Sequence, residues 1–530
     1  MLTGSFRASR TFPHAWDTAA AGGAGTGELR IGPIVLGRTF GLHVGGYLGY
    51  PGTSLRWEVP SDGTHRELAV RTPPGAHWAY YQWDVPRYWV GRSIYVVATD
   101  RSRDVWLGVS EPEPVPWMPA LGMAALQIAC FLLIFLPGMA WLLWRGGGAA
   151  DALIASGLAG YACFWAYFLS ADLGKAFSWI ILLGSAGLVL AGIRSPERRR
   201  RGSDLAPALI FALLLGVAYV CLLTLYGGAE ATLELPQERF LPGMPPDTQI
   251  PFLLSNVWYS HLPVHPFLGD WLTSDRPPLQ AALHLLISPL VPREPAAECV
   301  GIAAQSWIFI AFWSVLDAIG ATARERRVAI LLAALSGFML FNCTFVWPKL
   351  LPAALLLLAF AEIERQPGRT PLRVGLLGGL AMLGHAGSAF ALLGLALWYF
   401  WRRCPGGWPY MGRAGGILIA CLIPWVLYQK VFDPPGDRLL KWHLAGAPDP
   451  TASSFGSVLV HAYRTLGWKA WLAGRWENVS HLFFGPGWHS LAKMAAGMGT
   501  TLAGGHLEGW MRAALELRVN QMFLFFPSLG

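Results

Sequence analysis

Charge is the first thing this chain has little of. Asp, Glu, Lys and Arg make up 14% of its 530 residues, against 54% hydrophobic, which excludes an ordinary soluble globular protein. Cysteine is sparse too: Cys130, Cys163, Cys221, Cys299, Cys343, Cys404 and Cys421, with no CxxC spacing among them. That speaks against a disulfide framework or a structural zinc site, and the thiols are expected to pack as small hydrophobes. No HExxH pattern, internal repeat or low-complexity tract occurs beyond a Gly-rich patch near Ala20. The residues that follow Met1, LTGSFRASRTFPHAW, hold no apolar run of the kind a secretory leader carries.

What is present is a set of long apolar runs, 26 tryptophans suited to a membrane interface, and a net charge of +8. Much of the positive excess lies in short loops between apolar segments, RSPERRRR (194–201) and ARERR (323–327). Cytoplasmic flanks of membrane helices account for this placement better than a nucleic-acid footprint does. Nucleic acid is therefore not an expected partner.

Residues 1–112 form a different kind of sequence, in which short β-prone runs such as LRWEV, HWAYYQWDV and SIYVVATD alternate with Gly, Pro and Asp. Regular short strands with turn signals predict a small β-sandwich. Its aromatics Trp78, Tyr80, Tyr81, Trp83, Tyr88 and Trp89 suggest either core packing, which alternation favours, or a sugar-stacking surface. Residues 117–144 are then long enough to cross a bilayer of about 30 Å. Arg145 closes this span, so the positive-inside rule puts that end in the cytoplasm and the β-domain outside. Spans at 150–170 and 177–193 go out and return to RSPERRRR, and 205–226 delivers the loop 227–298 to the exterior. A β-domain outside without a leader points to an apolar helix upstream of Met1; the opposite orientation is the other reading.

Beyond the loop, LQAALHLLISPLV is too short to cross and is expected to be a re-entrant or interfacial helix, followed by an inward span at 300–319. Residues 328–363 and 374–401 each start and finish beside basic residues, yet are shorter than the roughly 40 residues two crossings need. Shortened helices meeting at the polar tips FNCTFVWPK and GHAGS are expected, with a single long helix as the alternative for the second stretch. Irregular backbone at such depth needs protein or water over it. A last span at 415–428 leads to amphipathic helices outside, and FLFFPSLG at the end is a surface helix or the start of a span. The expected fold class is a polytopic α-helical membrane protein with an N-terminal extracytoplasmic β-sandwich. Its parts are 1–112, a three-helix membrane segment 117–204, a membrane core 205–430 and a helical exterior region 431–530.

The loop LPGMPPDTQIPFLLSNVWYSHLPVHPFLGDWLTSDRPPLQ concentrates titratable groups among prolines and aromatics beside the membrane. Such a place suits the chemistry of a membrane enzyme. Asp247, in PPDTQIP, is the leading carboxylate: partial desolvation would raise its basicity toward that of a general base. An Asx-type turn is the bland reading. Asp275 and Arg276, in TSDRPP, form a second pair, or else a local ion pair and helix cap. Asp270 is a weaker candidate of the same kind, and Glu230, Glu234 and Glu238 read as solvated. His261 and His265 have the i, i+4 spacing of a helical metal pair, but Pro263 stands between them, so packing or a substrate hydrogen bond is preferred. A divalent cation such as Mg²⁺ or Mn²⁺, held by Asp247 with another loop acid, is the cofactor to test. Arg276, Lys349, Lys441 and His443 could together hold a lipid phosphate, with snorkelling to headgroups as the alternative for each cation. His385, flanked by small residues, could reach the same cavity or satisfy a neighbouring carbonyl.

From residue 205 onward the chain resembles the GT-C superfamily of membrane glycosyltransferases. An outward helix, a large first exterior loop with the early acid Asp247, shortened helices and a C-terminal exterior region carry the resemblance. The β-domain and the first three spans lie outside it. The resemblance implies an inverting transfer of a sugar from a polyprenyl-phosphate carrier to a glycan, lipid or protein acceptor, outside a bacterial inner membrane. It assigns Asp247 as base or metal ligand, with Asp275 as a lesser candidate. DTQ stands here where many members have paired acids such as DE, which leaves the metal requirement open. The rival classes are a lipid or glycan flippase, which would carry ionisable residues deep in several spans, and a non-catalytic scaffold of envelope assembly.

Overall fold

The computed structural model describes residues 2–9, 14–19, 25–37, 39–70, 75–112, 117–237, 250–265, 267, 271–291, 293–345, 347–447 and 453–484. The chain divides into two compact units, Met1–Ala124 with Val220–Pro246, and Ala125–Tyr219 with Asp247–Gly530.

The first unit contains two five-stranded sheets. One has β1 (Leu2–Gly4), β4 (Gly27–Val35), β9 (Ser93–Asp100), β6 (Thr53–Glu58) and β7 (His65–Glu67) in that order. The other has β2 (Arg7–Ala8), β3 (Ala15–Asp17), β10 (Leu107–Ser110), β5 (Thr39–Gly46) and β8 (Gly75–Asp84). Alternation governs burial: in β6, Thr53, Leu55 and Trp57 turn inward while the residues between them are half-buried. A single apolar cluster takes Leu29, Leu55, Trp57 and Val96 from the first sheet and Phe40, Leu42, Val44 and Leu107 from the second. Trp78 and Trp89 are buried, so these aromatics serve packing, whereas Tyr88 is exposed.

The second unit is helical. The helices α1 (Trp117–Arg145) and α5 (Ala206–Gln237) run on into the first unit; α2 (Ala149–Leu169), α3 (Ala171–Ile193), α8 (Arg293–Ala318) and α14 (Gly407–Leu427) complete the long apolar set. Among the described residues six helices are long and apolar enough to cross a membrane. A seventh arises if the bent pair α9 (Ala323–Ala334) and α10 (Gly337–Thr344) counts as one span. These are the helices of a multi-pass membrane protein. Alternation of charge and apolar length thus predicts the class correctly, because hydrocarbon leaves an extended backbone nowhere to bond.

Between the spans stand short helices: α4 (Pro196–Ser203), α6 (Ile250–Tyr259), α7 (Leu279–Ile287), α11 (Leu350–Arg365), α12 (Pro371–Gly384) and α13 (Ser388–Trp401). Both stretches are broken into short helices, the first between α9 and α10 and again between α10 and α11, the second at His385–Gly387 rather than running on as one helix. The interfacial reading of α7 is corrected: all nine of its residues are buried, which a helix lying on a surface could not achieve. Ser255 Oγ of α6 and His284 Nδ1 of α7 share a hydrogen bond of 2.7 Å. One end of the bundle is laced by charge pairs. Arg373 meets Asp151 at 2.8 Å and Glu362 at 3.1 Å, and Asp317 meets Arg326 at 2.6 Å and Arg365 at 2.8 Å. The chain after α14 continues through a π-helical turn (Tyr428–Phe432) into α15 (Arg438–Ala445) and α16 (Phe455–Phe484).

Candidate functional site

Two polar stretches far apart in sequence meet beyond the ends of these helices. The first is a 3-10 turn, Thr273–Asp275, just before α7. Asp275 caps its own turn, accepting from Leu272 N at 2.9 Å. The second stretch is the segment from Tyr428 to Arg438. There Asp433, fully buried, accepts at Oδ2 from Ser274 N and from Thr273 Oγ1, both at 2.6 Å. Its carbonyl accepts from Ser274 Oγ at 3.0 Å, and Gln429 Nε2 donates to Ser274 O at 3.0 Å. A buried carboxylate tolerates desolvation when donors surround it in this way.

Arg438 then reaches Asp275. Its Nη1 lies 3.2 Å from Asp275 Oδ2, with the two side chains only 3% and 2% exposed. Burial pushes the Asp275 carboxyl above its ordinary value; the Leu272 N–H, Arg438 and Arg276 oppose that shift without cancelling it. Gly436 makes the approach of Arg438 feasible. It adopts a positive φ of 65°, and a Cβ there would lie 2.5 Å from Gln429 O.

Arg276 is buried between two indoles, its Cζ 4.9 Å from the ring centre of Trp271 and 4.4 Å from that of Trp347. Trp347 belongs to the tip between α10 and α11, which Gln305 of α8 pins by donating to Trp347 O at 2.6 Å and accepting from Leu351 N at 2.8 Å. Lys349 stands on the same tip, Nζ 5.2 Å from the Trp347 ring, and the His385 ring is 6.4 Å from that of Trp347. The α10–α11 tip, the break between α12 and α13 and the turn before α7 therefore come together.

A cavity of about 190 Å³ opens beside this cluster. Asp275, Asp437 and Arg438 form its polar edge, while Met382, Leu422 and Val426 of the helices form its apolar wall. It is smaller than the roughly 300 Å³ at which ordinary small-molecule pockets begin, so it suits one part of a larger ligand.

The sequence candidates divide accordingly. Asp275, Arg276, Lys349 and His385 gather at the cluster, and His265 joins it through Asp433, with Nε2 3.1 Å from Oδ1. Lys441 does not snorkel: it is 1% exposed and forms an ion pair with Asp437, Nζ 2.7 Å from Oδ1. His261 and His265 form no helical pair, because 261–265 is a turn in which His261 has a φ of 50° and is exposed. Asp247 and Asp270, like the side chain of His443, lie outside the described residues. Among the described residues no group of three His, Cys, Asp or Glu could hold a metal ion. The donor set explains this for the carboxylates of the cluster, which are already committed to Arg438, Lys441 and the Thr273–Ser274 turn. All seven cysteines are free thiols.

Sequence reasoning missed Asp433, Asp437 and Arg438, although their string DPPGDR, with a Pro-Pro-Gly turn between charges, was the signal that could have found them. It also missed Trp271, Trp347 and Gln305, which carry no charge. The helix that holds the expected span 300–319 starts earlier than that span: α8 runs from Arg293 and takes in Glu298, which is 4% exposed. Compared with known families, curated proteins and solved structures, the chain matches no family model, no curated sequence and no solved fold.

Proposed function

We propose that this protein is an inverting glycosyltransferase that moves a sugar from a polyprenyl-phosphate carrier to an acceptor at the extracytoplasmic face of a bacterial inner membrane. The observation that carries the reading is the buried Asp275–Arg438 pair on the edge of a cavity whose other wall is apolar. A donor with a charged phosphate and a hydrocarbon tail calls for both kinds of surface in one place. A carboxyl raised above its ordinary value has the basicity that a general base needs. In the proposed step a carboxylate takes the acceptor hydroxyl proton as the acceptor oxygen bonds to the anomeric carbon. The bond from that carbon to the phosphate oxygen breaks on the opposite side. Arg276 and Lys349 stabilise the departing polyprenyl phosphate. Asp275 is the base among the described residues, and Asp247 is the base by resemblance. The N-terminal unit, read as an extracytoplasmic β-sandwich, would orient the acceptor.

The experiment supplies purified protein in nanodiscs with polyprenyl-phosphate sugars and scores release of polyprenyl phosphate. Loss in Asp275→Asn with retention in Asp247→Asn assigns Asp275, and the converse assigns Asp247. Equal release from wild type and both variants would end the assignment of either base, and no release from wild type with any donor would sink the reading. A flippase is the second reading, favoured by Glu298 buried inside a span. It predicts movement of a labelled polyprenyl lipid across proteoliposomes that Glu298→Gln abolishes.

A further inference from the structure

The long C-terminal helix α16 is exposed along most of its described length, and what it exposes is not ordinary surface. Val460, Tyr463, Leu466, Trp468, Leu472 and Trp476 are all between 43% and 70% exposed. Their spacing is helical: Val460, Tyr463 and Leu466 recur every three residues before a kink at Gly467, and Trp468, Leu472 and Trp476 every four after it. On the arc opposite the stripe lie His461 in the first half and Ala470, Ala473 and Gly474 in the second, while Arg464, Lys469 and Arg475 flank the stripe itself. Between Phe455 and Trp476 the chain carries Arg464, Lys469 and Arg475 and no Asp or Glu. All three cations are exposed, and Lys469 and Arg475 lie 5.9 Å from the rings of Trp468 and Trp471.

Position supplies the second argument. The helix α16 packs on α15, which starts only five residues after the membrane-length segment Gly407–Phe432 ends. This helix is therefore held close to the level at which a span leaves the bilayer. A helix with tryptophan and leucine on one face and Lys and Arg beside them, at that level, has the composition of one that lies in a membrane interface.

We propose that α16 is a membrane-surface helix that seats its Val460–Trp476 apolar stripe among the acyl chains and its cations on anionic phospholipid headgroups. This inference is independent of the transferase reading. It adds a lipid-binding surface that would hold the segment Asp433–Arg438, and with it the cavity edge, at a fixed depth.

The test uses the full chain in nanodiscs of phosphatidylcholine alone or with phosphatidylglycerol. Photoreactive benzoyl-phenylalanine is placed at Leu472 on the stripe or at Ala470 on the opposite arc, and adducts are read by mass spectrometry. Leu472 is expected to crosslink to lipid several-fold more than Ala470, with the yield rising when phosphatidylglycerol is present. The combined change Arg464→Glu, Lys469→Glu and Arg475→Glu is expected to remove that rise, each cation near an anionic surface being worth about fivefold in binding. Equal yields at the two positions, or adducts at Leu472 to protein instead of lipid, would overturn the surface assignment. Lipid adducts indifferent to phosphatidylglycerol and to charge reversal would overturn the headgroup assignment.

Discussion

Asp275 and Arg438 illustrate how a buried ion pair constrains each partner. With side chains 2% and 3% exposed, neither can recruit bulk water when the other is removed. Arg438→Met is expected to destabilise the protein by about 3–5 kcal/mol, and adding Asp275→Asn to restore part of that loss. Unfolding midpoints of the three variants in detergent check this; a double variant as unstable as the sum of the singles would show that the pair is not coupled. The pH dependence has a definite sign. The folded carboxyl sits above the ordinary value of 3.8, so the folded state binds a proton more tightly than the unfolded chain does. The stability Asp275 contributes is thus fully present below 3.8 and is lost as pH rises through its raised folded value. Wild type should lose stability relative to Asp275→Asn across that interval, whereas a parallel pair of pH profiles would show no raised carboxyl. Asp275, Arg276 and Lys349 were legible as candidates because polar groups beside membrane helices are costly unless used. Arg438 was not, since a charge in a string of prolines, glycine and acids reads as solvated until its partner is known.

Elements bring these side chains together through turns that have little freedom. Gly436 combines a φ of 65° with a Cβ position 2.5 Å from Gln429 O, so any side chain must displace the π-helical turn or the Asp437–Arg438 step. Gly436→Ala is expected to cost about 1–3 kcal/mol and to reduce polyprenyl phosphate release. A variant with wild-type melting and turnover would show that the segment yields freely. Gln305 plays the corresponding part for the other tip, holding Trp347 O and Leu351 N with its two amide atoms. Gln305→Leu leaves both backbone groups without that partner and should lower the unfolding midpoint, in step with a loss of about 1–3 kcal/mol. The breaks in the two shorter apolar stretches were readable, since neither stretch has the length of two full crossings and each carries a polar tip. The depth of α7 was not readable: LQAALHLLI has the composition of either a surface or a core helix, and only its neighbours bury all nine residues.

At the scale of the molecule, the positive-inside rule makes an orientation prediction that the bundle turns into specific labelling sites. Leu262, exposed beside the cluster, and Arg199, exposed in the basic loop, should lie on opposite sides of the membrane. In intact cells an impermeant maleimide is expected to label Leu262→Cys and to spare Arg199→Cys, above the background of the seven native thiols. Labelling of Arg199→Cys alone would invert the topology and move the proposed transfer to the cytoplasm.

The sequence by itself determined that this chain carries the helices of a multi-pass membrane protein, where its two shorter apolar stretches break and that a strand-rich unit precedes the helices. Those are properties of local composition and length, because hydrocarbon penalises each unpaired backbone group wherever it stands. Only the tertiary structure decided which acid meets which cation. Asp275 and Arg438 are 163 residues apart, and the indoles flanking Arg276 come from separate loops. Such pairings are set by how short helices stack, and no periodicity along the chain records the distance between two loops that close on one another.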